Sequence, residues 1–296
     1  MHPAASGIAR AVVLALTVLT GQAGVWAVQG HDARGIVTEV GKDHRSLAVS
    51  CDAIPGYMDA MEMSFTVRDP MKLVAIKPGM TVRFTIVEEN HVLYADRIQP
   101  GTSADFGPEQ MQAGGLTALE SALDPTTAGK IVQPGQEFPD FVLTDQAGKS
   151  IHFSELRGKV VVLTFGYSRC PFPEYCYRLS NNLGVVEKRF KARAGRDLVL
   201  ITIAIDPEHD QGRVLSEYAA TFHADPRDWH FLTGPLPKVK QVAGMLGMNF
   251  WREGGLLTHS LHTVVFDRDG KLVANIEGNR FTSRQLGDLV QTVMLK

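Results

Sequence analysis

Cys170 and Cys176 stand with five residues between them in Tyr167-Ser168-Arg169-Cys170-Pro171-Phe172-Pro173-Glu174-Tyr175-Cys176, and His259 stands far downstream in Thr258-His259-Ser260. A thiolate is both a nucleophile and a soft metal ligand. The pair therefore suits a structural disulfide, thiol–disulfide exchange, or capture of a soft cation. A redox pair of the thioredoxin kind has two residues between its cysteines and a proline ahead of the opposing strand. Here the spacer is longer, and Thr258-His259-Ser260 occupies the facing position. Two sulfurs and an imidazole form a Cys2His set that suits Cu(I), with tetrahedral zinc as the rival. If His259 opens its strand, alternation turns His262 to the other face, where it sits behind the site or in the core. Asp206 and Asp210, in Ile205-Asp206-Pro207-Glu208-His209-Asp210, fall at the site's edge. There they tune a thiol, meet a partner, or serve as plain loop and helix-cap residues.

A second group is Cys51, Tyr57, Met58, Met61 and Met63, which takes in three of the ten methionines. On a strand, Met61 and Met63 point to one face. Thioethers bind Cu(I) and little else with useful strength, although clustered methionines also fill irregular cores.

The elements that position these residues fall into two units, a small OB-like β-barrel followed by an α/β thioredoxin-like domain. Residues 35–98 hold five short alternating runs, Ile36–Val40, Ser46–Cys51, Ser64–Val67, Thr81–Ile86 and Val92–Ala95, separated by turn signals such as Pro78-Gly79 and Glu89-Asn90. That pattern reads as a barrel of the OB type. Residues 99–133, rich in Gly, Ala, Ser, Thr and Pro, read as a linker with a short helix around Leu116–Leu123. From residue 134 to 296, strands and helices alternate. Val160–Phe165 and Leu198–Ile205 are apolar runs of a buried sheet. Leu179, Leu183, Val186 and Phe190 mark a helix expected to end at Gly195. Two further helices lie around Val214–Phe222 and Val239–Leu246, a hairpin at Asp269-Gly270 joins His262–Phe266 to Leu272–Ile276, and a helix closes the chain. This order is thioredoxin-like, and it puts Cys170 and Cys176 in a strand-to-helix loop, where unpaired amides favour thiolate.

The N-terminus carries Arg10, an apolar run of roughly ten residues, and a small-residue zone ending near Ala27. Residues 1–27 read as a secretion signal or an uncleaved inner-membrane anchor, and the rest of the chain as periplasmic, where thiols face oxidation. Thirty basic against 32 acidic residues in a chain of 296 give a net charge of −2, which argues against nucleic acid as the main partner. A nucleotide site at Gly148-Lys149-Ser150 fails because Leu143 stands where the first P-loop glycine belongs. The usual peroxidatic pattern, with proline at Leu163 and threonine at Tyr167, is missing.

Residues 134–296 resemble the SCO/SenC family in Pro134-Gly135, Phe138-Pro139-Asp140-Phe141, Arg157-Gly158-Lys159, the Cys170–Cys176 loop, the Asp206–Asp210 segment and Thr258-His259-Ser260. The family comprises thioredoxin-like copper-binding proteins that help assemble the copper site of cytochrome c oxidase. The resemblance implies Cys170, Cys176 and His259 as copper ligands and a cuproprotein such as an oxidase subunit as acceptor. Two features depart from the pattern: the family's spacer is three residues, and Tyr177 replaces a common proline. Residues 51–65 resemble the CusF-like copper-binding barrel. Met61 and Met63 match its Met-x-Met, Cys51 stands where its histidine would, and Tyr57 or Met58 falls near its aromatic residue. The expected function is a metallochaperone for Cu(I) or Cu(II). Because an oxidised Cys170–Cys176 pair cannot hold copper, a periplasmic dithiol reductant is expected as a second partner. The alternative, from the enzyme class, is a thiol–disulfide oxidoreductase acting on partner cysteines.

Overall fold

The computed structural model describes residues 30–101, 131–253 and 256–296. The N-terminal apolar segment and the helix expected at Leu116–Leu123 lie outside the described residues. Five strands, β1 (His31–Val40), β2 (Ser46–Cys51), β3 (Glu62–Thr66), β4 (Thr81–Glu89) and β5 (Val92–Pro100), close a barrel in the order β1-β2-β3-β5-β4. Every other residue faces inward, so Val37, Leu47, Val49, Phe65, Val82, Phe84 and Ile86 form a dry core. Asn90 and His91 both take positive φ between β4 and β5, the backbone of a two-residue turn that matches strand twist. The barrel exceeds its expected bounds of 35 and 98. Residues 31–34 pair with β4, and β5 continues to Pro100, because backbone pairing carries strands past the apolar runs visible in sequence.

The second unit is a seven-stranded sheet in the order β14-β13-β8-β9-β10-β6-β7. Its strands are β6 (Val142–Asp145), β7 (Ser150–His152), β8 (Val160–Gly166), β9 (Leu198–Ala204), β10 (Trp229–Thr233), β13 (His262–Phe266) and β14 (Leu272–Glu277). β8, β9 and β10 run parallel, while β13 and β14 add antiparallel strands. Helices α1 (Arg178–Arg189), α2 (Gly212–Thr221) and α4 (Ser283–Met294) pack on one face, and α3 (Leu236–Met245) on the other. This is the thioredoxin-like arrangement. A separate two-stranded ribbon, β11 (Phe250–Glu253) and β12 (Leu256–His259), stands beside the sheet.

Two expectations need correction. α1 ends at Arg189, with Phe190 as its cap, rather than at Gly195. Gly195 serves a later turn at φ +74°, since the Phe190 carbonyl accepts from Arg193 and Ala194 and tightens the chain before the glycine. His259 does not open the hairpin strand; it closes β12, and His262 opens β13.

The barrel is docked on the second unit rather than merely tethered to it. Ser50 Oγ donates to Asp288 Oδ2 at 2.6 Å, and Arg284 reaches the Cys51 carbonyl at 2.6 Å. Gln285 donates to the Ser50 carbonyl and to Asp52. Ile36 packs into the apolar cluster of the second unit with Ile276 and Phe281. Gly79, at φ +86°, meets β14 so closely that a Cβ there would lie 2.8 Å from the Cβ of Ala274. The interface needs a glycine on both counts.

Candidate functional site

β8 is buried along its whole length, which makes its C-terminal end a fixed platform for the loop that follows. Both residues ahead of Cys170 are tied to carboxylates on the loop after β9. The Ser168 amide donates to Asp210 Oδ2 at 2.9 Å, and the Ser168 hydroxyl donates to Asp210 Oδ1. Arg169 Nε donates to Asp206 Oδ2 at 3.2 Å, joined there by Nη2 of the same guanidinium. Burial raises the Asp210 carboxyl above its ordinary value against the two Ser168 bonds. Residues Pro173–Tyr177 form one π-turn that runs directly into α1. A π-turn takes up one more residue than an α-turn, which accommodates part of the five-residue spacer.

Cys170 and Cys176 are free thiols, 8% and 0% exposed. His259 comes from the end of β12 and brings Nε2 to 3.5 Å from Cys176 Sγ. Its Nδ1 lies 2.9 Å from the Ser260 carbonyl. A proton on Nδ1 satisfies that carbonyl and leaves the Nε2 lone pair aimed at sulfur, a tautomer assigned from this bond. The three residues expected to act together are thus in one place. His262 is buried behind them, Nδ1 2.8 Å from Asn275 Oδ1, and burial lowers its pKa.

The two thiols are electrostatically unlike. A hydrogen bond from Cys176 is the largest influence that pulls Cys170 well below the ordinary thiol range. His259 and the amides of Phe172 and Cys176 assist, against the cost of burial. Cys176 is driven up by the same bond, by burial, and by the charge on Cys170. The pair titrates as one unit, a thiolate holding a thiol. In the reduced, metal-free protein, ultraviolet thiolate absorbance should therefore rise in one step well below the ordinary thiol pKa of about 8.5. That step should vanish in Cys170→Ser. A single step at the ordinary value would contradict this electrostatic picture.

Sequence reasoning missed Tyr167 and Arg252. The Tyr167 ring stands edge-on to His259, centroids 5.9 Å apart, and its hydroxyl donates to the Leu257 carbonyl at 3.4 Å. Arg252, on β11, donates to Asp206 Oδ1 at 2.8 Å and to Glu208 at 3.1 Å. Tyr167 was visible as the third residue before Cys170. Arg252 had no local signal.

In the barrel, the Cys51 amide donates to the Met61 carbonyl at 2.8 Å, and Met63 lies opposite Val49. Cross-strand neighbours share a face, so Cys51, Met61 and Met63 project to the same side of the wall. They differ in access: Cys51 is fully buried, Met63 half-buried and Met61 49% exposed. Burial, then the charge of Asp52, pushes the Cys51 thiol up to about 12, and Arg284 opposes the shift. Met58 is half-buried against the barrel core. The Tyr57 ring is stacked flat on His31, centroids 3.7 Å apart.

The family model described as SCO1/SenC matches residues 130–294, and the one described as copper binding periplasmic protein CusF matches residues 30–100. An SCO2-like protein of Rickettsia felis is 32% identical over 140 residues, 45% of this chain and 65% of that protein. An SCO2-like protein of Rickettsia typhi is 29% identical over 142 residues, covering 45% and 66%. The match thus spans slightly under two thirds of these relatives' own length. Among solved structures, Arabidopsis thaliana ScoI with copper bound is 26% identical, covering 53% of this chain and 98% of that one at a TM-score of 0.47. Yeast Sco1 with copper bound is also 26% identical, covering 53% and 87% at a TM-score of 0.45.

Proposed function

The chain belongs to the SCO1/SenC family, and from that premise we propose that it is a periplasmic copper metallochaperone. In this reading Cys170, Cys176 and His259 hold the ion and pass it to a cuproprotein such as a cytochrome c oxidase subunit. The observation that carries the reading is His259 Nε2 at 3.5 Å from Cys176 Sγ, beside a Cys170 thiol already disposed to ionise. Two thiolates and one imidazole form a soft, three-donor set, short of a full shell. Such a set lets an incoming ligand from the acceptor attach before the old ones leave, so transfer proceeds by exchange. Reloading after oxidation requires a dithiol partner. Its two thiols become a disulfide, while two electrons and two protons convert the Cys170–Cys176 disulfide back to a thiol pair. The charged, apolar and small-residue order of the first 27 residues supports export or anchoring at the inner membrane. No helix among the described residues is long and apolar enough to cross a membrane.

The barrel provides a second copper site through Met61 and Met63 with Cys51. Leucine nearly conserves methionine's volume, at a cost usually below ~1.5 kcal/mol, so Met61→Leu with Met63→Leu removes both thioethers and spares the fold. Copper titration of the reduced protein is expected to give two ions per chain, and one in this double variant. Two ions in both would rule out the thioether site.

The split between the Cys170 and Cys176 thiols also favours thiol–disulfide exchange, since a low-pKa thiol is the better attacking group. Disulfide turnover by the metal-free protein that is fast and independent of His259 would establish that reading instead.

A further inference from the structure

His259 is carried by a weak element. β11 and β12 pair only with each other among the described strands, and an isolated two-stranded ribbon is marginal in water. The Ser260 bonds with Asn249 extend the ribbon's own pairing by one step, and the Leu257 carbonyl accepts from the Tyr167 hydroxyl on the cysteine side. Phe250 and Leu257 add buried apolar area. The placement of an imidazole donor on such a ribbon calls for a further anchor.

We propose that Arg252 is the positioning residue for His259: by sharing the buried carboxylate of Asp206 with Arg169, it latches the histidine ribbon to the cysteine loop. The Asp206 side chain is 1% exposed and receives a guanidinium on each oxygen: Arg169 on Oδ2, and Arg252 on Oδ1 at 2.8 Å. Arg169 precedes Cys170 directly. Arg252 lies opposite Leu257, and Phe250, two residues before it, lies opposite His259. One carboxylate thus stands between the two arms that supply the donors. Glu208, 3.1 Å from Arg252, balances the second positive charge. A carboxylate removed from water strengthens charge-assisted hydrogen bonds, whereas both guanidiniums are about half exposed and remain open to screening by salt. Such a latch holds well at rest, and competing charge loosens it. Freeing the ribbon withdraws the imidazole and leaves the ion on two sulfurs.

The latch rests on the proposed copper site for its purpose but not for its test. Amide hydrogen exchange is measured over residues 256–259 in the metal-free, reduced protein. Arg252→Ala is expected to speed exchange there about tenfold, the effect of roughly 1.4 kcal/mol, and Arg252→Lys less. Adding 1 M salt should move the wild type toward Arg252→Ala. Arg213→Ala, which breaks the exposed pair with Glu217 on α2, is the control and should change nothing. In a second arm, Arg252→Ala keeps one copper ion in the Cys170/Cys176/His259 site and loses it faster to a chelator by a similar factor. Unchanged exchange in Arg252→Ala, with or without salt, overturns the latch. A wild type that binds no copper, together with faster exchange in Arg252→Ala, overturns the copper reading and leaves the latch standing.

Discussion

Cys170→Ser combined with His259→Ala will cost the second unit its copper, lowering affinity at that site by far more than ~100-fold. Mutating a residue that merely supports a metal ligand costs 10- to 100-fold, and this pair removes two of the three donors themselves. The remaining thiol, Cys176, is the wrong one to act alone. It is fully buried, and without Cys170 beside it its proton is held by burial. The fold should survive, because serine is close to isosteric with cysteine and His259 sits on the outlying ribbon rather than in the main sheet. A Cu(I) competition titration reads the result directly: one ion per chain remains, held by the barrel. Undiminished affinity at both sites would dismiss the Cys2His assignment.

Asp288→Ala is expected to lower the unfolding free energy by about 2–3 kcal/mol. Asp288 sits on α4 where the barrel docks, accepting from Ser50 at 2.6 Å, Arg189 at 2.8 Å and Arg284 at 3.0 Å. Removing one partner from a buried charge pair costs about 3–5 kcal/mol. The arginines here are about one third exposed and regain water, so the lower figure applies. Because Arg284 also grips the Cys51 carbonyl, the loss loosens the wall that carries the barrel's sulfurs. Denaturant unfolding should show one transition in the wild type and an earlier departure of the barrel in the variant. A change below ~0.5 kcal/mol would mean that the remaining contacts, the Arg284 and Gln285 bonds to residues 50–52 and the apolar packing of Ile36, hold the units together without Asp288.

The cysteine loop was legible because its flanks are announced locally, whereas His259 was expected at the start of the hairpin strand and closes β12 instead. A buried run ending at Phe165 and a helical period starting at Leu179 place the cysteines in a strand-to-helix loop, and the Asp269-Gly270 turn locates the ribbon's neighbour. The barrel was legible for a similar reason, as five runs punctuated by turns. Short strands were not. β10, β11 and β12 have five, four and four residues, too few for a period to show, and His230 and Arg252 interrupt their apolar character. Long-range polar contacts were also hidden. Arg252 meets Asp206 across 46 positions and Ser50 meets Asp288 across 238, and composition does not record such distances. The burial of Cys51 follows from strand register, which alternation sets only once the barrel has closed.

The most direct test is copper X-ray absorption on the Cu(I)-loaded Met61→Leu/Met63→Leu protein, in which the barrel no longer contributes an ion. Two sulfur neighbours and one nitrogen are predicted, with the nitrogen lost in the added His259→Ala variant. A shell of nitrogen and oxygen only, or a spectrum indifferent to His259, would contradict the assignment of copper to Cys170, Cys176 and His259.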